Sequence, residues 1–488
     1  MKAKNLLFVF SDQHARHVTG CYGDAVVATP NMDRLAAEGV AFDAAYCPSP
    51  ICVPSRMSML TARWPHRQRC WTNDDVLSSG IPTWLHAMGA GGHRPALMGR
   101  MHAIGPDQLH GYVERAVGDH SPNVPGVARQ SLGILDGAND PEPRSLANCG
   151  PGSCGYQIKD DATTDAACDW IAANAARRAS GDGFCLTVGY ILPHPPYVAD
   201  PDTYARYEGR VPPPRLAPPD TDEHPFYGWW RHDRGAAAAS ERDVMRARTA
   251  YWALVEHTDT MLGRVLDALE AAGVLDDTLI VYSSDHGDHV GERGLFWKHT
   301  FYEESAGIPM LMRLPGVLPA GERRARPVNL VDLAATMVDA LGAPALPNAD
   351  GRSFWDYARD GTAPWDGPTF CEYCTDAVPY WTGGRAVQQR MIRRGSHKLA
   401  IFDSAPPLLF DLASDPDEQV NLAGDPAHAA VEAALMAELT ADWDAAWIRQ
   451  EMARARRDKD ILAAWAKTAS PGDQYVFRFT PEDNRIVG

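Results

Sequence analysis

The chain has 488 residues, too many for one ordinary core, so two or three domains, or one large α/β domain with an appendage, are expected. An apolar fraction of 45% and a charged fraction of 22% exclude a disordered or fibrous chain. The formal net charge of −17 argues against a nucleic-acid partner, because phosphate binding draws on clustered Lys and Arg, and no run has the apolar length of a membrane span.

The first apolar run, residues 6–10, is followed at once by Asp12 and carries no small-residue cleavage site. It reads as a buried strand, and the expected location is the cytoplasm. Thr29, Pro30 and Asn31 open a helix that runs through Glu38 and stops at Gly39. Residues 40–45 return as a strand. Residues 114–156 are rich in Gly, Pro, Asn and Ser and read as a long surface excursion of the kind that borders active sites. A helix over 160–179, a strand over 184–190, a Pro-rich insertion over 200–234, a long helix over 240–272 and a strand over 278–284 follow. This alternation is that of βα units feeding a largely parallel sheet.

Beyond about residue 370 the pattern changes to short strands over 368–374, 390–394, 397–402 and 408–411, then a helix over 426–443. The expected fold class is therefore α/β, with a large, mostly parallel central sheet flanked by helices in residues 1–369. A small antiparallel sheet with a covering helix forms a C-terminal α+β subdomain, 370–447. The tail, 448–488, is charged and then polar, suited to wrapping this chain or a neighbour, and a homo-oligomer is expected.

Ten cysteines are scattered without the spacing of a secreted disulfide framework. The pair Cys371 and Cys374 has CxxC spacing but lies in a predicted strand without a second pair, and reads as buried thiols. Cys149 and Cys154 share a Gly/Pro loop in which they are able to oxidise together. Most of the fourteen Trp residues are expected in the core or an interface, with Trp71, Trp229, Trp230 and Trp381 as candidates for a pocket that takes an aryl or quaternary ammonium group. Glu372 is a candidate partner for such a cation.

Two acidic sites end apolar strands far apart in sequence: Asp12 after LLFVFS, and Asp285 with His286 after LIVYSS. Ligands in open α/β sheets sit beyond the carboxyl ends of strands, so neighbouring strands would deliver carboxylate oxygen and imidazole nitrogen to one divalent cation. Taken singly, each is equally a turn residue bonding its own backbone.

Cys52, Val53, Pro54, Ser55 and Arg56 spell CxPSR, the signature for oxidation of a cysteine to formylglycine, and here the chain resembles the sulfatase family. TPNMDRLAAEG lies upstream and MSMLTAR downstream, the latter with Ala62 where the family has Gly. The resemblance continues through GRMHAIGPDQLHGY, PHPPY, SSDHGDHVGERG and Lys298 after LFW. GPDQLHG and the position of His286 resemble the branch with choline sulfatases, bacterial arylsulfatases and phosphonate monoester hydrolases, which implies an alkaline-phosphatase-like fold.

The resemblance implies one divalent metal ion held by Asp12, Asp285, His286 and the modified Cys52. Gln13 stands where many relatives have a second Asp; calcium is favoured, with manganese or magnesium open. It implies that a hydrated aldehyde at position 52 supplies the nucleophile, that Arg56 and the metal stabilise its alkoxide, and that His102 is the base acting on its second hydroxyl. His194 and Lys298 would protonate the leaving oxygen and grip the sulfate, and Asn73 would add a hydrogen bond. Arg100 replaces the family's Lys, keeping the charge but not the geometry. His14, His17, His289 and His299 have no such support and are expected to be structural.

The implied activity is hydrolysis of aryl or small alkyl sulfate esters, after maturation by a formylglycine-generating enzyme. Phosphonate monoesters and phosphodiesters, also singly charged tetrahedral centres, are the alternative substrates of the same site. A noncatalytic binding protein on the same scaffold is the remaining alternative.

Overall fold

The computed structural model describes residues 3–121, 123–125, 127–175, 183–219, 223–379 and 382–487. Strand β1 (Asn5–Asp12) is buried at every position, as an unbroken apolar run demands: a strand covered on both faces has no polar alternation. After it come α1 (Pro30–Ala37), with Pro30 at its first turn, β2 (Val40–Phe42) and α2 (Cys52–Thr61), every residue of which is buried. The next elements are β3 (Pro95–Gly99), β4 (Glu114–Ala116), α3 (Gly155–Ala175) and β5 (Cys185–Pro193). The long helix α4 (Glu241–Ala271) is capped by the Ser240 side chain accepting from the Asp243 N–H. It leads into β6 (Thr278–Ser284), β7 (Met310–Arg313) and β8 (Glu322–Arg324).

These strands form one eight-stranded sheet in the order β8-β2-β7-β6-β1-β5-β3-β4. Strand β1 pairs in parallel with β5 and β6, and β3 in parallel with β5 and β4. The reversed strand is β7, antiparallel to both β6 and β2. The mostly parallel α/β sheet expected from the sequence is thus present. Ser11 lies opposite Ser284, and Gly99 opposite Gly189, so the carboxyl ends of β6, β1, β5 and β3 lie along one edge.

The C-terminal sheet is antiparallel, in the order β9 (Thr369–Thr375), β10 (Val387–Arg394), β11 (His397–Phe402) and β12 (Leu408–Asp411). Cys371, Met391 and Phe410 of this sheet belong to the same apolar core as Leu6 and Val281. Helices α5 (Ala429–Leu439) and α6 (Ala445–Ala469) follow.

Several local expectations are corrected. The 200–234 insertion contains two helices, Pro201–Tyr207 and Pro225–Asp233. The helix expected over 426–443 is shorter, and most of the expected tail is helical. The final residues lie on this same chain, where Arg485 and Ile486 pair with Ser153 and Gly152. The end of the helix expected over 160–179 lies outside the described residues beyond Ala175. No described helix is long and apolar enough to cross a membrane.

Candidate active site and metal centre

Four strand ends supply the site: Asp12 closes β1, Asp285 and His286 follow β6, His194 follows β5, and Arg100 follows β3. Cys52 joins them from the first turn of α2, and the N–H of Val53 donates to Asn73 Oδ1 at 3.0 Å. Helix α2 therefore points its N-terminus at the site, an orientation that favours an anion. Residues 12, 52, 285 and 286 are all buried, and their ligating atoms lie within 4.8 Å of one another.

The protonation pattern of this cluster leaves a place for a cation. His286 Nδ1 faces the Gly287 carbonyl at 3.1 Å, so it carries the proton and Nε2 presents a lone pair. Burial lowers the His286 pKa to about 4, so the ring is neutral near pH 7. Its Nε2 stands 3.5 Å from Asp285 Oδ1 and 4.0 Å from Asp12 Oδ1. These three acceptors converge beside the Cys52 thiol, which lies 3.6 Å from Asp12 Oδ1 and 3.4 Å from His286 Nε2, while the Gln13 N–H donates to Asp285 Oδ1 at 3.0 Å; two carboxylates and one imidazole suit a divalent ion.

Burial alone would raise the Asp12 pKa, but Arg100 and Arg56, helped by His194 and Lys298, hold it well below the usual carboxylate range. Arg56 donates from Nε to Asp285 Oδ2 at 2.8 Å and from Nη2 to Asp12 Oδ2 at 3.0 Å, tying the two strand ends together. Arg56 is itself fully buried; both of its partners are charged, the condition under which such burial is tolerated.

Arg100 is a second hub. It donates from Nε to Asp12 Oδ2 at 2.8 Å, from Nη1 to Asp119 Oδ1 at 2.7 Å, and from Nη2 to His102 Nδ1 at 2.6 Å. The neutral His102 ring therefore carries its proton on Nε2. Burial, and then Arg100, lower the His102 pKa well below its ordinary value. Asp119 also accepts from the His102 N–H at 2.8 Å.

On the opposite side, Lys298 Nζ lies 2.7 Å from Gln13 Oε1 and 3.1 Å from Cys52 Sγ. Gln13 donates from Nε2 to Asp288 Oδ2 at 2.7 Å. His194 donates from Nδ1 to the Pro195 carbonyl at 2.6 Å, and Cys52 bonds to the ring. Burial and then Lys298 lower the His194 pKa. Gln13, His102, Trp297 and His299 all have φ between 58° and 78°, backbone strain of the kind that concentrates at functional sites.

The structure thus brings together Cys52, Arg56, His102, His194, Lys298, Arg100, Asn73, Gln13, Asp12, Asp285 and His286 at one end of the sheet. Above them opens a cleft of about 1180 Å³ including its mouth, lined further by Ile104, His120, Tyr156, Trp297 and Phe479.

Sequence reasoning did not assign Asp119, Asp288, Tyr156 or Phe479. Asp288, inside a quoted motif, accepts from Gln13, Tyr197 Oη at 2.7 Å, Val290 N at 2.8 Å and Trp297 N at 2.9 Å.

The remaining expectations divide. Trp71 and Trp230 are buried and, like Trp229, do not line the cleft, while Trp381 lies outside the described residues. Glu372 accepts from His66 Nδ1 at 2.7 Å and faces Arg390 at 3.4 Å, so it is not free for a ligand. Cys149 and Cys154 are free thiols, and Cys371 lies 3.9 Å from Cys47. His14 bonds Tyr282 Oη, and His289 bonds Thr300 Oγ1, as structural residues do. His299, expected to be structural, lines the cleft with its ring 4.6 Å from that of Trp230.

Residues 4–343 match the family model described as Sulfatase, and residues 291–444 match one described as N-sulphoglucosamine sulphohydrolase, C-terminal. The chain is 32% identical to a choline-sulfatase of Rhizobium meliloti, over 87% of this chain and 85% of that one. It is 29% identical to arylsulfatase K of Canis lupus familiaris, over 86% and 79%. Its fold is similar to a phosphonate monoester hydrolase of Agrobacterium radiobacter, with TM-score 0.73 and 23% identity, covering 92% of this chain and 96% of that one.

Proposed function

Because the chain belongs to the sulfatase family, we propose that it hydrolyses sulfate esters of small alcohols or phenols, with Cys52 matured to formylglycine as the source of the nucleophilic oxygen. The observation that carries this reading is the convergence of Asp12, Asp285, His286 and Cys52, with three acceptor atoms facing one point. These residues would hold one divalent ion, calcium by preference for their oxygen-rich set. When bound, the ion supplies Lewis acidity at the reacting oxygen.

The residues around it divide the remaining work. A sulfate ester carries one negative charge, and Lys298 and Arg100 frame the place where that charge grows. Lys298 Nζ, 3.1 Å from Cys52 Sγ, brings N–H donors to the side from which an alcohol would leave. His194, neutral and held by Pro195, presents its lone pair toward Cys52 and relays a proton only after taking one up. His102 holds its proton on Nε2, so service as a base first requires that proton to be handed on. Asn73 holds the start of α2 in register with these groups.

Two measurements on purified protein test the reading. Peptide mass spectrometry across Cys52 is expected to show the mass loss of thiol-to-aldehyde conversion. Catalytic efficiency is expected to be higher on an aryl sulfate than on the matching aryl phosphonate; the reverse order assigns the same site to phosphonate monoesters or phosphodiesters.

A further inference from the structure

The outer side of the cleft is closed by a part of the chain remote in sequence. Phe479 lines the cleft, and the backbone before it is pinned to the 114–156 excursion. The Asp119 N–H donates to Tyr475 O at 2.7 Å, and the Phe477 N–H returns to Asp119 O at 2.7 Å. Asn123 Nδ2 donates to Gln474 O at 2.5 Å and Gln130 Nε2 to Phe477 O at 2.8 Å. Asp119 is the residue whose carboxylate holds Arg100 and the His102 N–H, so the segment that brings Phe479 also fixes the backbone behind those two groups.

The seat is shaped for this segment. A Cβ at Gly118 would lie 1.5 Å from Tyr475 O, one at Gly152 2.0 Å from Arg485 O, and one at Gly155 2.5 Å from Phe479 Cγ. At each crossing only glycine permits the approach.

From Cys52 outward, rings follow one another. His194 and Tyr156 have centroids 6.5 Å apart, and Tyr156 meets Phe479 edge-on at 6.2 Å. Ile104, Leu132 and Trp297 add apolar surface. The two carboxylates that line this outer region are already matched. Asp74 accepts from Arg456 at 2.8 Å and Lys459 at 3.1 Å, and Asp140 accepts from Arg129 at 2.8 Å. A cationic alcohol would find no uncommitted carboxylate among the described lining residues.

Resting on the sulfatase reading, we propose that residues 473–479 form the outer wall of the active cleft and that Phe479 is specificity-determining, selecting an uncharged aryl leaving group. The wall packs against the departing phenol and leaves a small alkyl group untouched.

The test compares kcat/KM for phenyl sulfate, methyl sulfate and choline sulfate in the full-length enzyme. Wild type is expected to favour phenyl sulfate. Phe479→Ala is expected to lower the phenyl over methyl ratio about five- to tenfold, the size of one lost aromatic contact. Phe479→Tyr is expected to restore most of that ratio, and Gly155→Ala, which drives a methyl group into the ring, to lower it.

An unchanged ratio in Phe479→Ala, or a preference for choline sulfate that this variant reduces, would overturn the proposal. Should phosphonates prove the better substrates, the sulfatase reading fails by itself, and the phenyl over methyl ratio measured on phosphonate monoesters decides the wall independently. Calorimetric binding of phenyl sulfate to the Cys52→Ala protein, with and without Phe479→Ala, gives the same comparison without turnover: weaker binding with Phe479→Ala supports the wall, and equal affinities overturn it.

Discussion

Arg100 reaches Asp12 and Asp119 with separate nitrogens of one guanidinium, at 2.8 and 2.7 Å, and so couples a carboxylate of the candidate metal centre to the 114–156 excursion. Its third nitrogen sets the tautomer of His102. The ammonium of a lysine is a point charge and cannot span all three partners.

Arg100→Lys is therefore expected to keep the fold and lower kcat/KM by one to two orders of magnitude, about 1.4 kcal/mol for each factor of ten. The pH–rate profile is the sharper check. With Nδ1 of His102 released, the acidic limb should move upward as that ring regains basicity. An unaltered profile would mean that Arg100 does not govern His102.

The candidate metal centre is tested independently of turnover. Asp12 and Asp285 are buried and face the His286 lone pair, so an ion that binds only the folded chain must stabilise it. Calcium at a hundred times its dissociation constant is expected to add about 2.7 kcal/mol, read as a rise in apparent Tm after chelation and readdition. Asp285→Asn should abolish the rise, and magnesium should give a smaller one. A Tm indifferent to every divalent ion would remove the centre from the mechanism.

Asp288 contributes through satisfaction rather than chemistry. Its carboxylate accepts from Gln13, Tyr197, Val290 and Trp297 in a fully buried position. Asp288→Ala strands four donors and frees the Gln13 side chain that holds Lys298, so a loss of at least about 3 kcal/mol in unfolding free energy is expected. Asp288→Asn keeps the volume and part of the acceptor capacity and should cost less; equal costs for the two variants would contradict this account.

The strand ends that meet at the candidate site were legible because their physics is local. An apolar run that stops at Asp12 or at Asp285 marks both a buried strand and a polar terminus. Cys52 and Arg56 were legible through the motif that contains them. Asp119, Tyr156 and Phe479 were not, since their importance depends on residues 473–487 returning to a Gly-rich excursion, a contact across more than three hundred positions. The helix Ala445–Ala469 also escaped, because only Ile448, Met452 and Ala466 of its residues are buried, too few to mark an apolar stripe in so charged a segment. The Trp residues were read mostly as core, and Trp71 and Trp230 are buried; composition does not say which rings face a cleft.

A pH dependence of stability is built far from the reaction. His66 is 5% exposed; burial disfavours its charged form, but Glu372 at 2.7 Å and Asp442 at 3.6 Å outweigh that and raise its pKa from 6.5 to about 9. A histidine whose folded pKa exceeds its unfolded value binds its proton more tightly when folded, so the stabilisation is complete below about pH 6.5 and is lost as pH rises through about 9. The difference is of the order of 2 kcal/mol once the half-exposed Asp442 is discounted. Unfolding free energies of wild type and His66→Gln, compared at pH 6 and at pH 9.5, should differ more at the lower pH by about that amount. A gap that stays constant between the two conditions would show that the imidazole is not charged in the folded chain and that Glu372 is held by Arg390 alone.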